Sequence, residues 1–165
     1  MRSAARLACL LLPAAFLAAQ DPGFNGAWKH ASDSGIPAAI EATVKDMNFV
    51  KRPIARKKLT DKNPVYQKVT IAVGPQEISI QFDARSPVKM PADGKAAPWT
   101  REDGDKFMVT AKLEGSRLTQ TIKNDEGERT NVFTLGADRK LGLAVTVKSP
   151  SLDKPLTYTM AFTAN

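Results

Sequence analysis

The sequence predicts a mostly β chain, an up-and-down antiparallel β-barrel of about 8–10 strands with a short helical segment between strands 1 and 2. Three observations carry this. Apolar and polar residues alternate from Val65 almost to the C-terminus, the period of half-buried strands. Acid–glycine pairs and proline-bearing breaks interrupt the alternation about every 10–12 residues, as hairpin connections do. Residues 36–47 change to helical spacing. Nearly every predicted strand has one apolar face. A lone sheet of that size would leave the face wet, and wrapping it shut buries the face and removes the edges together.

The first strand is predicted over residues 24–31, with Phe24, Gly26, Trp28 and His30 on one side. "SDSG" breaks it and offers Ser32, Asp33 and Ser34 as helix N-caps. In "IPAAIEATVKDMNF", Ile36, Ile40, Val44 and Met47 form an apolar stripe, and Pro37 suits a first helical turn. Asn48 ends this helix and begins another, in which Pro53 either bends the axis or marks the true start. "TDKNP" (60–64) is a turn.

The hairpin pattern then begins. Val69, Ile71 and Val73 share a face, as do Ile78, Ile80 and Phe82, with Gly-Pro-Gln between the two strands. Residues 83–102 hold three prolines and read as loops or edge strands. Four faces follow: Phe107, Val109, Ala111 and Leu113; Leu118, Gln120 and Ile122; Leu141, Leu143, Val145 and Val147; Leu156, Tyr158, Met160 and Phe162. In "GERTNVFTLG" the sequence leaves two faces open, Arg129, Asn131, Phe133 and Leu135 or Thr130, Val132 and Thr134.

Residues 1–20, "MRSAARLACLLLPAAFLAAQ", have the layout of an export signal: basic Arg2 and Arg6, a short apolar run, small residues at the end. The expectation is a cleaved signal peptide, a single domain over 21–165, and a secreted or periplasmic location. Cys9 is the chain's one cysteine and lies in the signal, so disulfides and Cys-based metal sites are excluded from the mature chain. Of 24 Lys and Arg, 22 remain after residue 20 against 17 acids. Five of them crowd into "KRPIARKK" (51–58), a solvated helix face or a contact for an anionic surface. No aromatic residues interleave that patch, which argues against nucleic acid.

Gly26-x-Trp28 on a first strand, followed by a long β-meander, resembles the calycin superfamily of lipocalins and fatty-acid-binding proteins. The resemblance implies a tryptophan packed across the closed barrel end and apolar ligands entering at the other. The helical stretch 36–59 looks like the lid of the fatty-acid-binding branch, whereas the export signal suits lipocalins. The layout also resembles small secreted bacterial proteins of unassigned function. The sequence departs from both calycin branches near its end. "LTYTMAFTAN" lacks the arginine that packs over the lipocalin tryptophan, and Tyr158 follows Leu156 where fatty-acid-binding proteins carry Arg-x-Tyr. Only Gly26 and Trp28 are carried over, as structural barrel-end residues, and no carboxylate-binding role is inherited.

No catalysis is expected. His30 is the single histidine, G-x-S-x-G and phosphate-cradling loops are missing, and "REDGD" and "NDEGE" lack calcium-ligand spacing. No metal or cofactor is implied. The informative residues are polar ones on apolar faces, which are costly in a dry core unless paired. Candidate ligand contacts are therefore His30, Tyr66, Trp99, Arg101, Gln120, Arg129 and Tyr158. The interior is expected to be lined by Val109, Leu118, Val145, Tyr158 and Phe162. The predicted function is a monomeric barrel that binds an apolar or amphipathic small molecule inside. The alternative is an envelope interaction module with a filled barrel, using helix 51–58 against anionic membrane or partners.

Overall fold

The computed structural model describes residues 23–32 and 34–165. The predicted signal (1–20) and the candidate cap Asp33 lie outside the described residues. Ten strands form one antiparallel sheet: β1 (Gly26–His30), β2 (Lys68–Val73), β3 (Glu77–Phe82), β4 (Val88–Pro91), β5 (Ala97–Thr100), β6 (Lys106–Glu114), β7 (Arg117–Asn124), β8 (Gly127–Leu135), β9 (Lys140–Lys148) and β10 (Leu156–Ala164). Helices α1 (Ile36–Val44) and α2 (Lys51–Lys62) sit between β1 and β2. The order is β4-β3-β2-β1-β10-β9-β8-β7-β6-β5, so consecutive strands pair and β1 closes against β10. The sheet wraps until its two shortest strands, β4 and β5, approach each other without a hydrogen-bonded ladder. Pro91 and Pro98 lie on these strands, where a missing amide hydrogen leaves no central ladder broken.

The alternation resolves as one inner face. On β8 it is the set with Asn131 and Phe133 that turns inward, and both are fully buried. Trp28 is buried on β1 opposite Val69 and Ala164, and its indole Nε1–H donates to the Phe24 carbonyl at 3.0 Å. Gly26 has φ 140°, and a Cβ there would meet nothing within 4 Å. The backbone angle, not crowding, calls for glycine at that position.

The helices differ in detail from expectation. Gly35 takes the N-cap of α1 in a left-handed conformation, φ 59°. Ser34 contributes only its hydroxyl, which accepts the Ile36 amide at 3.4 Å. The helix stops at Val44, while Met47 stays buried in the turn beyond it. Pro53 sits in the first turn of α2, two residues after the helix begins at Lys51. Among the described residues no helix is long and apolar enough to cross a membrane.

Truncating Trp28 removes a buried indole that the closed sheet cannot refill. Trp28→Ala is expected to cost about 3–5 kcal/mol in urea unfolding; a loss below about 1 kcal/mol would show that the ring does not pin the β1–β10 closure.

Candidate functional site

Hairpins β3–β4, β5–β6, β7–β8 and β9–β10 all turn at one end of the barrel, and α2 lies across it. A cavity of about 710 Å³ opens there, within the roughly 300–1,000 Å³ range of small-molecule sites. Its apolar wall includes Leu59, Tyr66, Phe82, Trp99, Phe107 and Ile122. Tyr66 packs on Phe82 with ring centroids 4.3 Å apart, and Trp99 on Phe107 at 5.6 Å.

Below this cavity the barrel is filled. Leu118, Phe133, Leu141, Leu143, Leu156 and Phe162 are all under 2 % exposed, which leaves no water-sized space beside them. This corrects the expected lining. Val109, Leu118, Val145 and Phe162 are packed core, because side chains of this size fill the lower half of so small a barrel.

Between core and cavity lies a polar layer centred on Arg129. Its Nε donates to Asn131 Oδ1 at 3.0 Å, Nη1 to Asn63 Oδ1 at 2.8 Å and Nη2 to the Tyr158 hydroxyl at 2.9 Å. Tyr158 in turn donates to Asn63 Oδ1 at 3.2 Å. Asn131 passes a hydrogen bond to Gln120 Oε1 at 2.7 Å, and Gln120 Nε2 reaches Met90 Sδ on β4 at 3.5 Å. Asn63, Gln120 and Asn131 are buried, and each uses both its amide oxygen and its amide nitrogen in hydrogen bonds. Every oxygen facing the guanidinium is neutral, and no acid among the described residues forms an ion pair with Arg129. A guanidinium has five N–H donors, and three are used here.

Arg101, on the cavity wall, is the contrast. It is ion-paired with Asp103 at 2.7 Å and with Asp105, and lies over the Phe107 ring at 5.0 Å. The hydrogen bond from Arg101 holds the Asp103 carboxyl well below the usual carboxylate range, against the opposing effect of burial. Two ion pairs tie α2 to the rim, Lys62–Asp103 at 3.3 Å and Lys58–Glu126 at 3.6 Å. At Gly127, beside Glu126, a Cβ would collide with the Lys148 carbonyl, so the tight β7–β8 turn needs glycine.

Of the candidate contacts, Tyr66, Trp99, Arg101 and Arg129 line the cavity. Gln120 and Tyr158 stand behind Arg129 in the polar layer. His30 lies elsewhere, with its ring edge-on to Phe162 at 5.7 Å and its buried Nε2 without a partner. The sequence reading missed Asn63, which belongs to a stretch that reads only as a turn. No metal-competent cluster of His, Cys, Asp or Glu occurs among the described residues.

The architecture matches solved structures. A fatty acid transporter, REP1-NXSQ, superposes with TM-score 0.54 at 15% identity, covering 86% of this chain and 95% of its own. A fatty-acid-binding protein from Drosophila melanogaster brain tissue gives TM-score 0.57 at 16% identity, covering 86% and 100%. Zebrafish ileal bile-acid-binding protein with cholic acid gives 0.54 at 14% identity, covering 86% and 98%. No protein-family model and no curated protein sequence matches the chain. The fold is thus a calycin-type antiparallel barrel with its helices inserted between β1 and β2.

These matches correct two expectations. The resemblance to small secreted bacterial proteins gives way to a fold likeness to intracellular proteins of eukaryotes. The secreted or periplasmic location read from residues 1–20 falls with it.

Burial raises the Tyr158 pKa above its ordinary value, with Arg129 pulling the other way. The folded chain therefore keeps a proton that the unfolded chain releases near pH 10. The stabilisation is whole below about pH 10 and is lost as pH rises further. Wild-type stability should fall more steeply than that of Tyr158→Phe above about pH 10 in urea titrations; parallel curves would mean that the hydroxyl is not shielded.

Proposed function

We propose that the protein binds an amphipathic small molecule at the lidded end of its barrel, apolar chain against the aromatic wall and anionic head on Arg129. One observation carries the reading: Arg129 borders the cavity with its charge uncompensated by any acid among the described residues. Arg101 on the same wall is already neutralised, so it competes poorly for an anion. Two of the matched proteins are described with a fatty acid and a bile acid, both of them apolar bodies with a carboxyl group. Binding rests on burial of apolar surface, about 25 cal/mol per Å², with the guanidinium fixing orientation. The chain works as a monomeric binder and not as an enzyme.

Oleate and oleyl alcohol, titrated by tryptophan fluorescence, test this, because Trp99 stands in the cavity wall. Arg129→Gln should weaken oleate by roughly thirtyfold, the loss of about 2 kcal/mol for a charged hydrogen bond. Oleyl alcohol should be unaffected. Equal behaviour of the two ligands in both proteins would remove the head-group assignment.

A second reading concerns a docking surface for anionic membrane. Within the basic stretch, Arg56 is paired with Glu41, Lys57 with Asp61 and Lys58 with Glu126. What stands free beside it is apolar: Phe49, Val50 and Ile54 are 80%, 57% and 68% exposed, next to Lys51. An exposed apolar cluster flanked by lysine suits insertion at a charged interface. Phe49→Ser with Ile54→Ser should abolish co-sedimentation with phosphatidylserine-containing vesicles. Retention equal to wild type would exclude this surface.

A further inference from the structure

The side chain of Asn63 joins α2 to the barrel, whose other polar ties to that helix are exposed ion pairs and whose apolar contact with it is made by Leu59 and Ala55. It ends α2 as the C-cap residue, and its Nδ2 donates to the Leu59 carbonyl at 2.8 Å. That bond satisfies one of the carbonyls a helix end leaves open. Its Oδ1 simultaneously accepts from Arg129 Nη1 at 2.8 Å and from the Tyr158 hydroxyl at 3.2 Å. Two donors converging on one buried oxygen make the arrangement that a carboxylate oxygen would receive. Asn63 itself is 4% exposed, so the contact is shielded from water. The rim ion pairs Lys62–Asp103 and Lys58–Glu126 are exposed and contribute little to holding the helix. Among these polar ties, the buried one is the strongest bond between lid and barrel.

We propose that Asn63 is an internal occupant of the Arg129–Tyr158 donor pair, and that an anionic ligand head enters by displacing it, releasing the end of α2. The proposal rests on the reading of Arg129 as head-group site. Asn63 thereby decides which ligands gain entry. A head without negative charge offers Arg129 less than the amide oxygen it would replace, whereas a carboxylate offers more. The lid then responds to the head and not to the chain behind it. Burying Asn63 Oδ1 without its donors carries a desolvation penalty, so displacement has to move the side chain toward water, and the last turn of α2 moves with it.

Asn63→Ala, Asn63→Asp and Arg129→Gln, each titrated with oleate and oleyl alcohol, test the proposal. Asn63→Ala should raise the oleate association rate roughly fivefold and leave oleyl alcohol unchanged, since the competing acceptor is gone. Asn63→Asp should weaken oleate roughly tenfold, because a built-in carboxylate outcompetes the ligand's. In the wild type, oleate should speed amide exchange over residues 59–63, and oleyl alcohol should not. If Asn63→Ala does not fold, Asn63→Asp and the wild-type exchange measurement decide alone. Wild-type oleate rates and affinities in both Asn63 variants, with Arg129→Gln still defective, would overturn the displacement while leaving the head-group site intact. An Arg129→Gln protein that binds oleate normally would overturn both.

Discussion

A guanidinium that must be satisfied without an acid is the constraint on which the upper barrel depends. Arg129 spends three donors on three neutral oxygens, and each commitment reaches a different part of the fold. Through Asn131 and Gln120 it extends to Met90 on β4, on the far side of the unpaired β4–β5 seam. Tyr158 links it to the last strand, and Asn63 to the lid helix. The amides are oriented by the charge: each turns its oxygen toward Arg129 and its nitrogen away, toward Gln120 or the Leu59 carbonyl.

The same layer explains why the barrel is both packed and open. Below Gln120 and Asn131, leucines and phenylalanines fill the interior and supply the dry core. Above them the walls carry aromatic rings but the hairpins diverge, and α2 covers the gap. A cavity running the whole barrel would have taken those buried leucines and phenylalanines out of contact with one another. A fully packed one would have had to bury Arg129 uncompensated, at a cost that a core of this size could not absorb.

Much of the fold was legible in the sequence because sheet burial has period two. The faces of β6, β7, β9 and β10 follow directly from alternation, and the prolines of residues 83–102 placed the weakest pairing where the seam falls. The site was less legible, for a topological reason. Arg129 and Tyr158 are 29 residues apart and belong to strands separated by β9, so neither spacing nor a short motif records their meeting. Asn63 looked like turn chemistry because a C-cap asparagine and a turn asparagine are the same residue in the same context. In the basic run 51–58, adjacency in sequence does not show that Arg56, Lys57 and Lys58 find acids on α1, α2 and the β7–β8 turn.

The last strand lacks Arg-x-Tyr, so family resemblance passes on no carboxylate-binding role, and a cation beside Tyr158 has to come from another strand. In a meander, inward-facing residues two strands apart stand on neighbouring stretches of the same curved wall. A cation supplied by β8 can therefore meet a hydroxyl supplied by β10, and does so at 2.9 Å. What a ligand meets is the local balance of charge, and the two cavity arginines differ sharply in that balance. Arg101 arrives with Asp103 and Asp105 as its own counter-ions, and a guest would have to break those pairs. Arg129 has only dipoles, which orient toward it but cannot cancel it, so an anion entering the cavity gains most where neutral amides hold the charge in place.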